Sequence, residues 1–179
     1  TISHVRVESE KLPPAFDGFT IALVSDLHNH PWGGRLTELL RRENPDLIAV
    51  SGDLIDSGRT KVNIALDFVR EAVKIAPVYY VTGNHEKWAG NKADSLLAGL
   101  EAEGVHVLRN TWEAVVKDGG TIRIAGVDDP AFGGRGELEN ALRRTGGTPY
   151  YLQSLNARVE PGLSLPASAV NYMRRELLN

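Results

Sequence analysis

The sequence predicts an α/β fold built on a βαβαβ core, and three observations lead to it. Strand-like apolar runs alternate with amphipathic helical stretches between residues 19 and 104. Each of the three apolar runs ends in polar residues behind a short turn. Past residue 104 the pattern changes to short alternating segments around a Gly-Gly pair, which predicts an antiparallel ribbon.

Taken in order, "HVRVES" (4–9) alternates and predicts a short strand, followed by the Pro-containing connector "KLPPAFDG". "FTIALVSD" (19–26) is nearly continuous apolar chain, the pattern of a strand covered on both faces. "RLTELLRRE" (35–43) places Leu36, Leu39 and Leu40 on one helical stripe. "DLIAVSGD" (46–53) is a second buried strand. In "TKVNIALDFVREAVKIA" (60–76), Ala65, Phe68, Val69, Ala72 and Val73 recur at helical spacing. "PVYYVTGN" is the third strand, and "ADSLLAGLEAEG" (93–104) a helix stopped by Gly104. Three strand–helix repeats of this kind predict parallel strands with right-handed crossovers. "VHVLRN", "WEAVVKDGG" and "TIRIAGV" are then the strands of the ribbon.

Composition narrows the function. The 179 residues are 42% hydrophobic and contain no cysteine, so disulfides, thiolate ligands and thiol nucleophiles are excluded. A metal must be held by His, Asp, Glu and Asn, which favour hard or borderline ions. A net charge of -3 provides no basic footprint for nucleic acid. No apolar run approaches the ~20 residues of a membrane span, and no signal peptide is visible. The chain opens at Thr1, which leaves room for a removed upstream segment.

The polar strand ends carry the chemistry. The first strand ends in Ser25-Asp26-Leu27-His28, and the second in Gly52-Asp53 with Asp56 a turn further on. The third ends in Gly83-Asn84-His85-Glu86. Ligands of an open parallel sheet bind beyond the carboxyl ends of its strands, so these groups are expected to converge on one crevice. Asp26 and His28, two apart, point the same way in extended chain. Gly52 and Gly83 permit tight turns that aim the next side chain over the sheet edge. Singly, Asp26, Asp53 and Asn84 fit cap or turn positions, and His85 a packed or surface histidine. Together, at three successive strand ends, they exceed what capping requires.

The motifs "DLH", "GD" and "GNHE", with steps of 27 and 31 residues from Asp26 to Asp53 and from Asp53 to Asn84, resemble the calcineurin-like metallophosphoesterase superfamily. The lead-in "LPPAFDGFTIALVSDLH" and "IAGVDDP" (124–130) resemble its bacterial branch of YkuE-like and YaeI-like phosphodiesterases. The resemblance covers residues 12–130 and implies one metallophosphoesterase-like sandwich domain over residues 1–179, with 146–179 an unassigned tail. It implies Asp26 and His28 on a first metal, Asp53 bridging, and Asn84 on a second. His85 would protonate the leaving oxygen, with Asp56 orienting its ring. The implied function is hydrolysis of phosphodiesters or phosphomonoesters by a metal-bound hydroxide, with two divalent ions (Mn, Fe, Zn or Ni). The implied partner is a small phosphate ester. Peripheral membrane association is left open beside a cytoplasmic, bacterial setting, and oligomeric state is left undetermined.

The family pattern continues with a later histidine and a G-H-x-H motif, but none of the five histidines here lies beyond His106. The fold is therefore expected to be incomplete at its C-terminal end. One ion is expected at Asp26, His28 and Asp53, with the second absent or bound only with phosphate. The alternative is a truncated or degenerate, non-catalytic homologue that binds metal weakly. His30 in "DLHNH" is expected to be a second-layer residue or a stand-in ligand, or part of an H-x-H like that of the polymerase-and-histidinol-phosphatase family. His4 and His106 are expected to be structural. Trp32 and Trp88 flank the ligand loops as crevice walls or packing residues. Asp128 and Asp129 are either second-layer or turn residues. Arg143-Arg144 and Arg174-Arg175 fit solvated helix faces.

Overall fold

The computed structural model describes residues 2–132. The tail 146–179 and the two arginine pairs lie outside the described residues. Four parallel strands in the order β1-β2-β3-β4 make the main sheet: β1 (Ile21–Val24), β2 (Leu47–Val50), β3 (Val78–Tyr80) and β4 (His106–Val107). Helices α1 (Arg35–Glu43), α2 (Val62–Ala72) and α4 (Asn91–Ala102) occupy the connections, and a five-residue helix α3 (Asn84–Trp88) directly follows β3. Strands β5 (Thr111–Lys117) and β6 (Gly120–Gly126) form an antiparallel hairpin.

The strands separate two apolar layers because successive side chains point to opposite faces. Ile48, Val50, Val78 and Tyr80 pack with Ala65, Val69, Leu96 and Leu100 of the helices. Leu47, Tyr79 and Val81 face the other way, where Val115 and Ile124 of the hairpin pack against them. The order is helices, sheet, hairpin, so the central strands are covered on both faces and their sequence is apolar throughout. Truncating a fully buried residue such as Leu96 or Leu100 to alanine would cost ~2–5 kcal/mol.

Local signals account for the ends. Asn44 caps α1 in the left-handed conformation (φ 46°), its N–H donating to the Leu40 carbonyl. Asp118 and Gly119 both have positive φ (46° and 79°), which makes the β5–β6 loop a two-residue Asp-Gly turn of the primed type. The turn is therefore Asp-Gly, one position before the Gly-Gly pair.

Four expectations are corrected. Residues 4–9 form no strand, since among the described residues no neighbour supplies the hydrogen bonds that alternation alone cannot; Val5 and Val7 are 76% and 62% exposed. "VHVLRN" does not join the ribbon. His106 and Val107 pair with Tyr79 and Tyr80 as the fourth parallel strand, because α4 returns the chain beside β3. Leu23 is 62% exposed, since β1 is an edge of the described sheet. Leu39 is likewise exposed, and Thr37 is buried in its place, its hydroxyl donating to the Gly34 carbonyl.

Candidate metal centre

Beyond β1 the chain turns left-handed. Asp26, His28 and Asn29 have φ values of 59°, 45° and 57°, and Asp53, beyond β2, has 53°. Non-glycine residues in this region are uncommon, and clusters of them collect at functional sites. The two loops stay zipped together past the sheet: Asp26 N–H donates to the Gly52 carbonyl, His28 N–H to that of Asp53 and Asn29 N–H to that of Leu54. Asp26 and His28 thus face each other through left-handed turns rather than extended chain, with His28 Nε2 3.6 Å from Asp26 Oδ1.

The glycines act by different means. Gly52 has φ +89°, which side chains rarely adopt, and a Cβ there would lie 2.6 Å from Gly83 Cα. Gly83 is extended (φ −101°, ψ −177°) and needs no special conformation. It needs space: a Cβ at Gly83 would lie 2.7 Å from both Cγ and the backbone N of Asp53. The ends of β2 and β3 come so close that neither glycine leaves room for a Cβ, which brings the following side chains together.

Ligand atoms of His28, Asp53 and His85 consequently lie within 4.8 Å of one another. Asp53 is buried, and its Oδ1 accepts the His85 backbone N–H at 2.9 Å. His28 Nδ1 is buried without a hydrogen-bond partner among the described residues. An unpaired buried ring nitrogen beside a buried carboxylate, on a strained backbone, fits a bound divalent cation. Two imidazoles and a carboxylate suit a borderline ion such as Zn, Fe or Mn.

The tautomer of His85 qualifies this grouping. Its Nδ1 accepts the Ser57 backbone N–H at 3.1 Å, so in the neutral ring the proton sits on Nε2. That nitrogen is then a donor rather than a lone-pair ligand. His85 lies among the ligand atoms, but because a backbone amide can only donate, its neutral ring is a proton donor at Nε2.

Asp56 makes no hydrogen bond to His85. Its Oδ1 accepts the N–H groups of Gly58 (2.7 Å) and Arg59 (3.0 Å), and these bonds, Arg59 first, hold its carboxyl below the ordinary aspartate range. Asp56 therefore shapes the loop whose Ser57 amide meets the ring. Asn84 sits half-buried at the start of α3. His30 lies outside the cluster, edge-on to Trp32 (4.8 Å). Trp88, 62% exposed, has its ring 5.2 Å from that of His85. His4 pairs with Glu43, and His106 stacks on Tyr79 and pairs with Glu113.

Several residues around the site carry more than their sequence signal suggested. Asn29 is buried and ties the β1 loop to the Asp56 loop, donating to the Arg59 carbonyl and accepting Lys61 N–H. Asp128 is buried and accepts from Thr82, Arg109 and Asn110. Burial pushes the Asp129 carboxyl up; the Ala131 amide opposes this, and the Asp53 and Asp128 charges add to it. Glu86, fully buried, accepts three backbone N–H groups. Burial pushes its carboxyl up, and those amides hold it back. The sequence marks Asp128 and Asp129 as second-layer or turn residues and places Glu86 inside the "GNHE" motif, while Asn29 is marked only by its nearness to "DLH".

A family model for calcineurin-like phosphoesterases matches residues 19–157. The chain is 29% identical over 136 residues to a transmembrane protein with metallophosphoesterase domain from Danio rerio, covering 72% of this chain and 31% of that protein. It is 33% identical over 110 residues to YpbG of Bacillus subtilis (strain 168), covering 62% and 42%. It is 29% identical over 154 residues to the metallophosphoesterase YkuE of the same organism, covering 80% and 52%. The chain thus spans under two thirds of the length of each. Among the described residues no helix is long and apolar enough to cross a membrane.

Proposed function

The chain belongs to the calcineurin-like phosphoesterase family, and on that footing we propose that it hydrolyses phosphodiesters or phosphomonoesters where His28, Asp53 and His85 meet. The observation that carries this reading is the meeting of ligand atoms of His28 and Asp53 with a ring nitrogen of His85, from three separate strand ends, within 4.8 Å of one another. His28 and Asp53 hold a divalent ion, with Asp26, 3.6 Å from the His28 ring, as a third ligand. When bound, such an ion supplies Lewis acidity toward a phosphoryl oxygen and acidifies water.

The protein's own groups do the rest. His85 carries its ring proton on Nε2 because Ser57 N–H occupies Nδ1. It is placed to donate to the oxygen that departs from phosphorus, a contribution of roughly 10²–10⁴-fold. Asn84 supplies an amide oxygen for a second ion recruited together with substrate phosphate. The substrate is a small phosphate ester, and the net charge of -3 argues against nucleic acid as the partner.

A non-catalytic metal binder is the second reading, and the absence of any histidine after His106 favours it. Metal analysis of the purified chain, with turnover of bis(p-nitrophenyl) phosphate and p-nitrophenyl phosphate in Mn²⁺, separates the two. The proposal expects bound metal and turnover, both lost in Asp53→Asn. Bound metal without turnover of either ester selects the second reading, and no bound metal refutes both.

A further inference from the structure

Glu86 carries the one side chain of the "GNHE" segment to which the proposed chemistry gives no part. Its side chain is 0% exposed. Oε2 accepts the Gly83 N–H at 2.7 Å and the Asp53 N–H at 2.9 Å, and Oε1 the Ile55 N–H at 3.3 Å. A glutamate at the third position of a helix commonly reaches back to the residue before it, which explains the bond to Gly83. Helix capping does not explain the other two. Asp53 and Ile55 lie 33 and 31 residues upstream, on the loop after β2. Burying a carboxylate is costly unless its hydrogen bonds are made, and this one makes them across two strand ends.

The bonds are also reciprocal. The Glu86 side chain holds the backbone of Asp53, while the Asp53 side chain holds the backbone of His85. Each segment is thus gripped by a side chain of the other. Asp53 is kept in a left-handed conformation that aspartate adopts uncommonly. Gly83 is drawn so close to Asp53 that no Cβ fits between them. We propose that Glu86 is a positioning residue for the metal centre: it sets the direction of the Asp53 carboxylate and its separation from His85 before any ion arrives. The proposal rests on the reading of Asp53 as a ligand given above.

Glu86→Gln is the first probe. Its amide oxygen can keep two of the donors, but its NH₂ then opposes a third N–H. The full chain is expected to stay folded at 25 °C while its Mn²⁺ affinity, by calorimetry, falls ~10–100-fold, the range for residues that orient ligands. Turnover should fall in kcat more than KM rises. Glu86→Asp, one methylene shorter, cannot reach both segments and should not restore affinity. A lowered Tm with Mn²⁺ affinity within twofold of wild type would overturn the proposal and leave Glu86 a folding staple. Should both variants fail to fold, hydrogen exchange of the wild-type, metal-free chain decides. Amides of Asp53, Ile55 and Gly83 should be protected as well as those of β2. Rapid exchange until Mn²⁺ is added would mean that the ion, not Glu86, makes the geometry. Absence of Mn²⁺ binding by wild type would refute the ligand reading, and the exchange pattern would still decide whether Glu86 holds Asp53.

Discussion

Gly83→Ala isolates the close approach on which the centre depends. The backbone at Gly83 is extended, so alanine meets no conformational penalty there. The whole cost is steric. A Cβ would sit 2.7 Å from Asp53 Cγ and from Asp53 N, inside the 3.0 Å that real Cβ contacts respect. Asp53 has little room to retreat. Its Oδ1 accepts His85 N–H, its N–H is held by Glu86, and it is 8% exposed. Overpacking of this kind costs typically ~1–3 kcal/mol. At ~2–4 °C per kcal/mol for a chain of this size, Tm should fall by ~2–12 °C. The larger effect should be on metal, because the group forced to move is the proposed ligand Asp53. Mn²⁺ affinity by calorimetry should weaken by at least the ~10-fold that a displaced ligand costs. Gly90→Ala is the control, with φ +60° and nothing within 4 Å of the added carbon. It should lose the ~1–3 kcal/mol of an alanine held at φ 60°, ψ −133°, a conformation almost confined to glycine, and keep its metal. If Gly83→Ala matches that control in both measurements, Gly83 is an ordinary turn residue and the contact argument fails.

Three more variants test separate parts of the reasoning. His85→Ala should lower aryl phosphodiester turnover roughly 10²–10⁴-fold while keeping Mn²⁺; joint loss of metal would make His85 a ligand and reverse the tautomer assignment. Asp129→Asn keeps an oxygen for the Ala131 N–H. Because the folded-state pKa of Asp129 is raised above 3.8, the folded chain holds its proton more tightly, and stability falls as pH rises through that raised value. The metal-free variant should therefore gain urea stability over wild type at pH 7 but not at pH 3, and a gap independent of pH would contradict the burial argument. Gly99→Ala, inside α4, gains up to ~1 kcal/mol of helix preference. Its new carbon lies 2.9 Å from both Cδ atoms of Leu66, the far end of a side chain that can swing away. Tm should stay level or rise by up to ~4 °C, and a fall would show that Leu66 is locked.

The parts of this architecture that repeat over many residues were legible in the sequence. The helical spacing of Ala65, Val69 and Ala72 gave the buried face of α2, and the boundaries of α1 matched the stretch 35–43. Apolar runs gave β2 and β3 because each is covered by helices on one side and the hairpin on the other. What the pattern missed were features set by a single partner. Residues 4–9 alternate as a strand does, but alternation describes two faces and says nothing of an edge to bond to. The placement of His106 in the parallel sheet depended on the length of α4, which no alternating pattern reveals.

The site divides the same way. That Asp26, His28, Asp53 and His85 share one sheet edge followed from strand direction alone. Which atom of each faces inward did not, because that depends on bonds between segments some thirty residues apart. Ser57 carries no motif, yet its amide decides where the proton of His85 sits. Glu86 is written in the motif, yet its partners Asp53 and Ile55 appear only when the loops close. Aspartate was expected to orient the ring, since a carboxylate accepts from a histidine N–H and so places the proton on Nδ1. A backbone amide does the opposite and places it on Nε2. The change from Asp56 to Ser57 is one position along the chain, and it turns the outward nitrogen of His85 from an electron-pair donor into a proton donor. For a group proposed to meet a departing oxygen rather than a cation, the amide is the better partner.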